Sequence, residues 1–423
     1  MLNGEKVKVS GQNVWDKVYG EECMAKKVRL DTNNIVVYEK KAWFFSINYP
    51  CLCCYDYEKQ EILKKKFIYD KKGYIECLYE KIIRIENYIV GIPFWASQVF
   101  IYDTKTDEEY YLDIIGDEEV SVNAFYTSSI CGNIIYSFRR FATTGESGNY
   151  VLKIDPFRKK AEYIKLCLDE VNYNDSKTVR IFANESYSGD GFVILLSEKG
   201  NILKLRLSDF KCDFFNCKNS EYPFYTISRF GDSKYFLTDR MGEGFIWDGQ
   251  HNYLKVKKTQ IIELTNKIAT IEKKYMSAFE NSDCYKDVIY LMPSWANIIC
   301  EYDIKKNIMK KAWFSDEIVF DVINESKPDN YYVGFFSNTC LVANVLFLFC
   351  VSGGKFYEID LEKKVVKSKV MEVDLNEEEL TYIWKYRVKN SGGIIKEDKK
   401  VECELQTFIN MMCKNTRGHD GQI

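Results

Sequence analysis

Two histidines in 423 residues leave little of the side chain on which most general-base and metal chemistry relies. His251 follows a turn, DGQHN, and His419 lies in a polar tail, so neither is placed to activate a nucleophile. No run of eighteen apolar residues occurs, and the first residues, MLNGEKVKVSGQ, lack an apolar leader core. A soluble, non-exported protein without a membrane partner is expected. Charge of one sign is missing too, with 59 Lys and Arg against 62 Asp and Glu and no like-charged tail. That balance argues against nucleic acid and against a membrane surface. Neither a GxGxxG nor a Walker sequence is found. TTGESGN at 143–149 has glycines but no Lys and no strand-to-helix setting.

Cysteine is abundant instead, at fifteen, an odd and scattered set that does not read as a secreted disulfide framework. In the one cluster, CLCC, Cys51 and Cys53 share a strand face and Cys54 points away. A metal would need further ligands that are not near, so the thiols read as reduced, small hydrophobes in a cytoplasmic protein without metal or cofactor.

Aromatics are the other excess, with 31 Tyr and 27 Phe, and they favour strands. The segments GIPFWASQVFIYD at 91–103 and MPSWANIICEYD at 292–303 say nearly the same thing. Aligning on their final Asp yields seven copies, ending at Asp56, Asp103, Asp155, Asp209, Asp248, Asp303 and Asp360. Each has an apolar run, a short polar break, a second apolar run and then a charged stretch. The Asp starts a turn in which its carboxylate bonds its own backbone two residues on. The two runs read as the inner hairpin of a recurring four-stranded sheet.

A repeat of about fifty residues with four strands per unit predicts an all-β fold, a seven-bladed β-propeller of four-stranded antiparallel blades over residues 1–373. A pair of β-sandwiches is the alternative. Runs such as FVILLS and VLFLFCV are apolar on both faces because blades flank them, whereas EEYYLDI and KVVKSKV alternate as outer strands do. Residues 259–275 break the pattern and read as a short helix or an extra outer strand. Residues 374–423 predict a short helical C-terminal extension packed on the propeller. DLNEEELTYIWKYRV begins as a helix N-terminus, and Val401, Leu405, Phe408, Ile409 and Met412 share a helical face.

The strings AWFFSINYPCLCCYDYEKQEI and YIVGIPFWASQVFIYDTKTDE resemble kelch-like or WD40-like bacterial β-propellers found as uncharacterised proteins in Firmicutes, over roughly residues 25–372. Of the kelch double glycines, only Gly353-Gly354 sits in the expected turn. Trp247-Asp248 looks like a WD dipeptide without its Gly-His partner. The resemblance implies a binding scaffold and no particular chemistry.

The polar breaks inside the hairpins carry the candidate binding residues Tyr49, Phe94, Trp95, Arg139, Arg140, Asp239, Arg240, Glu243 and Trp295. Aromatics and Arg are the residues of interface hot spots. Trp95 and Trp295 either contact a ligand or plug the gap between blades. The turn from Phe138 to Gly148 is long and polar, and it is expected to put Arg139 and Arg140 on the face of the two tryptophans. Two functions follow. One is a non-catalytic cytoplasmic scaffold for another protein or peptide. The other is a small-molecule or glycan site in the central channel, possible turnover resting on carboxylates such as Asp239 and Glu243. Thiol titration of the denatured chain, with and without reductant, should return the same count, close to fifteen. A lower count without reductant would mean disulfides.

Overall fold

The computed structural model describes residues 27–116, 125–139, 150–165, 181–187, 191–197, 201–216, 224–232, 234–250, 253–255, 277–294, 296, 298–325, 336, 338–351 and 354–390. The chain divides into two units, Arg29–Glu372 and a second that holds the helix Glu377–Asn390. The first unit is a β-propeller. It contains six four-stranded sheets and one five-stranded sheet, each with four strands consecutive in sequence and antiparallel. In chain order they are sheet A (35–67), B (79–112), C (125–165), D (181–216), E (224–255), F (279–311) and G (340–370). In sheet C, the pair Ile114–Ile115 leaving sheet B adds in parallel to the outermost strand. The first strand of each sheet lies against the first strand of the next, and that of G returns to A. The ring rules out two sandwiches.

This order corrects one expectation. The repeated hairpin is not the inner pair but the middle pair, the second and third strands, as in Lys41–Phe45 with Cys51–Asp56 of sheet A. The innermost strand precedes it and is more polar, as in FYTSSIC of sheet C and FENSDCY of sheet F. Apolar runs mark strands covered on both sides, and the strand along the axis is not one of them.

The middle strands show why no period of two is visible. In sheet F, Ile289 and Leu291 face the core shared with sheet E, whereas Tyr290 and Met292 face the core shared with sheet G. In sheet D, Leu195 joins the C–D core while Ile194 and Leu196 join the D–E core. Gly91, in the second strand of B, is needed for a close approach. A Cβ there would stand 2.7 Å from the Phe45 ring of sheet A.

Turn chemistry repeats with the sheets. Glu39 and Lys40 both have positive φ, 47° and 64°, as a two-residue type I′ hairpin requires. Glu86, Lys286 and Ala343 take the same region where sister turns have Gly132, Gly191 and Gly231. The terminal aspartates behave as expected. Asp56 accepts the N–H groups of Glu58 and Lys59 at 3.0 Å each, and Asp360 those of Glu362 and Lys363 at 3.1 and 2.9 Å. The turns are also stapled to each other. Thr104 N–H donates to the Asn87 carbonyl at 2.9 Å while Asn87 Nδ2 donates to Asp103 at 2.7 Å.

One helix, α1 (Ser315–Glu325), was not legible in the repeat pattern. Its Ile318 and Val319 fill the F–G core, and Ser315 Oγ accepts the Ile299 N–H at 2.8 Å. Asp316 and Glu317 occupy its first turn, where the helix dipole favours acids. Helix α2 (Glu377–Asn390) is where the sequence predicts one. A capping box starts it: Glu379 N–H donates to Asn376 Oδ1, and Asn376 N–H to Glu379 Oε2, both at 2.9 Å. Segments 259–275 and 401–412 lie outside the described residues.

The ring closes without strand exchange, because sheets A and G are each built from contiguous sequence. The segments flanking them form a short strand pair, Lys27–Arg29 with Glu372–Asp374, and Leu30 N–H donates to the Met371 carbonyl at 2.9 Å. Between the sheets themselves aromatic side chains pack: Phe44 meets Phe349 at 5.8 Å, Tyr55 meets Phe356 at 5.2 Å and Tyr57 meets Phe347 at 4.9 Å. Phe349→Ala should therefore cost about 3–5 kcal/mol in urea unfolding. Tyr55→Phe should be neutral or stabilising, since the Tyr55 hydroxyl is buried with no hydrogen-bond partner among the described residues. Equal losses in the two variants would contradict this account of the seam.

Candidate functional site

Strand order sends the second–third turns and the inter-sheet connections to one end of the ring, and the first–second and third–fourth turns to the other. The nominated residues stand at the first end. Tyr49 is half-buried in the turn of sheet A. Phe94 and Trp95 are in the turn of sheet B, and Asp239, Arg240 and Glu243 in that of sheet E. Arg139 ends the second strand of sheet C, so its backbone lies at this end. Arg140 and Trp295 lie outside the described residues, as do the histidines.

The repeated Pro-x-Trp-Ala wording has a structural cause. Phe94 and Ala96 both donate their N–H to the Leu78 carbonyl, at 2.8 and 3.2 Å. Ser294 and Ala296 donate in the same way to Ala278, at 3.0 and 3.2 Å. Each turn is clamped to the connection entering its own sheet, and the alanine of each is buried. In the sheet B turn the side chain between the two clamps, Trp95, is directed outward. Trp95 is 41% exposed, so it does not plug the gap between sheets. Its ring meets Phe94 at 5.6 Å and Tyr74 at 6.3 Å, and on the same connection Tyr69 is 45% exposed. Tyr49 is linked to this patch through the backbone: Cys77 N–H donates to Ile47 and the Cys77 carbonyl accepts from Trp95.

Asp239 is a turn organiser. Its carboxylate accepts the N–H groups of Met241 and Glu243, both at 2.9 Å, and it is buried. The Arg240 carbonyl takes the Ala278 N–H at 2.9 Å, which ties this turn to sheet F. The structure thus forms two groups at one end, Tyr49 with Phe94 and Trp95 on sheets A and B, and Asp239 to Glu243 on sheet E.

At the opposite end lies a feature absent from the sequence reading, a cleft of about 550 Å³ between sheets A and B. Tyr38, Lys41, Leu63, Arg84 and Lys105 line it, with Trp43 and Tyr102 at its base. These come from five strands and turns, so no contiguous motif announces them. Cys54 also lines it, but burial pushes its thiol up to about 11, which keeps it protonated and un-nucleophilic.

Among the described residues burial raises three carboxyl groups elsewhere in the ring, Asp31, Asp283 and Glu358. Burial pushes Asp31 up to about 6, outweighing the opposing pull of Arg29. Burial pushes Asp283 up to about 6, against hydrogen bonds from the Cys284 N–H, the Thr339 hydroxyl and the Leu341 N–H. No group of three or more His, Cys, Asp or Glu side chains arranged for a metal occurs among the described residues.

No protein-family model matches the chain, and no curated protein is detectably similar to it. Among solved structures it is similar to PorZ, an essential bacterial surface component of the type-IX secretion system of Porphyromonas gingivalis. The TM-score is 0.50 at 10% identity, over 83% of this chain and 40% of that one. A computationally designed protein, Ika8, matches at TM-score 0.48 and 8% identity, over 83% of this chain and 89% of its own. U3-55K matches at 0.49 and 9%, over 77% and 89%. The likeness to PorZ bears on the fold alone, and the other two carry no argument.

The raised carboxyls set a pH dependence. An acid harder to ionise folded than unfolded makes folding take up protons between its two pKa values, here between about 4 and about 6. Stability is therefore lost as pH rises through that window. In Asp283→Asn the fall in urea midpoint between pH 4 and pH 7 should be smaller than in the wild type. An unchanged fall would show that Asp283 does not contribute.

Proposed function

We propose that this propeller is a non-catalytic scaffold that takes a protein or peptide partner on the end of the ring carrying the second–third turns. The observation that carries the reading is Trp95, a large aromatic exposed at 41% on a backbone held by paired hydrogen bonds. Rigid exposed aromatics supply contact area at little entropic cost and are typical of interface hot spots. Tyr69, Tyr74 and Phe94 extend the patch, and Arg139 ends a strand at the same end. Asp239 is already committed to its turn, which weakens a carboxylate-based reading of Asp239 with Glu243.

Two finer points belong to this proposal. The ring is read as seven-bladed, with the five-stranded sheet counted as a blade that borrows Ile114–Ile115 from the connection before it. A crystallographic map with six repeats around the axis would overturn that count. A cytoplasmic location is supported by the scattered, odd-numbered cysteines.

Selection of a phage-displayed random peptide library on the intact chain tests the partner surface. Selected peptides should bind Trp95→Ala at least about tenfold more weakly, a loss of ~1.4 kcal/mol. The melting temperature should stay within about a degree or two, as for most surface substitutions. Peptides that bind wild type and variant equally would place the partner surface elsewhere.

A further inference from the structure

The geometry points to a second binding site, for a small organic phosphate monoester, in the cleft between sheets A and B at the end of the ring opposite Trp95. Its volume of about 550 Å³ suits one small ligand, since such sites span roughly 300–1,000 Å³.

The charges decide the ligand class. Around the cleft, cations are answered by carboxylates: Lys40 pairs with Glu58 at 2.9 Å, Lys64 with Asp107 at 2.6 Å and Lys66 with Glu109 at 3.2 Å. Lys41, Arg84 and Lys105 line the cleft and have no carboxylate partner among the described residues. The Arg84 guanidinium lies on the Tyr38 ring, 3.2 Å from its centroid, which fixes its plane and leaves its N–H edges for an acceptor. A phosphate monoester brings close to two negative charges and three acceptor oxygens to three such donors.

An organic body is indicated as well. Leu63, 41% exposed, and Tyr38, 38% exposed, offer apolar surface in the cleft. Glu39 and Glu86 also line it and accept hydrogen bonds from hydroxyl groups on the ligand. They would repel a polyphosphate more than a monoester.

Calorimetric titration of the full chain with phenyl phosphate, inorganic phosphate and phenol tests the site. Phenyl phosphate should bind saturably and more tightly than inorganic phosphate, phenol should not bind, and added salt should weaken the binding. Arg84→Ala and Lys105→Ala should each weaken it at least about fivefold with unchanged melting, while Trp95→Ala leaves it intact. Absence of saturable heat up to about 10 mM would overturn the proposal. Equal affinity in wild type, Arg84→Ala and Lys105→Ala would overturn it too, as would inorganic phosphate binding as tightly as the ester. A phosphoserine peptide binding more tightly than free phosphoserine would overturn the small-molecule assignment in favour of a phosphopeptide.

Discussion

Side-chain packing between adjacent sheets is the interaction on which this fold depends. Within a sheet, hydrogen bonds join neighbours in sequence, whereas sheets A and G share no strand and are tied by flanking backbone bonds, Leu30 N–H to the Met371 carbonyl and Asn338 N–H to the Asn33 carbonyl, beside the short strand pair Lys27–Arg29 with Glu372–Asp374. The seam is held by Phe44, Tyr55 and Tyr57 against Phe347, Phe349 and Phe356. Every middle strand must then be apolar on two faces, one for each neighbour. That requirement accounts for the abundance of Phe and Tyr and for the near absence of two-residue alternation in the hairpins.

A ring of this kind is rigid where the sheets meet and free at its two ends, and the ends differ in chemistry. One end gathers the connections between sheets, which clamp the second–third turns through carbonyls such as those of Leu78 and Ala278. At sheet B, what the clamp leaves over is the exposed Trp95. The other end gathers hairpin turns rich in Lys, Glu and Asp, and third–fourth turns such as those at Asp56, Asp103 and Asp360 are stabilised by the aspartate's own carboxylate. Here unpaired cations collect beside a cleft. Binding at either end requires no movement of the scaffold, because the residues concerned sit on strand ends or on turns fixed by hydrogen bonds.

Much of the fold was legible because its signals are local. An Asp that accepts N–H groups two and three residues ahead announces a turn wherever it stands, and Asp56, Asp103, Asp155 and Asp360 all do so. The Asn376–Glu379 box announces helix α2 in the same way. Cys51 and Cys53, two apart on a strand, were expected on one face, and their Sγ atoms are 3.7 Å apart. The turns carrying Tyr49, Phe94, Trp95 and Arg240 were legible as a set, since hairpin topology alone assigns them to one end. Which of their side chains reach solvent was not.

The sequence by itself determined the strands, their pairing within each sheet and the turns between them, because hydrogen bonds of that kind connect residues a few positions apart. Only the tertiary structure decided which strand faces the axis, since an apolar run reports that both sides are covered and not by what. It alone decided how the ring closes, because the residues of the seam are some three hundred positions apart. It alone decided the cleft, for Lys41, Arg84 and Lys105 are unremarkable surface cations until sheet B packs on sheet A. Inter-sheet distance is set by the summed bulk of the side chains between two sheets, and no short stretch of sequence encodes that sum.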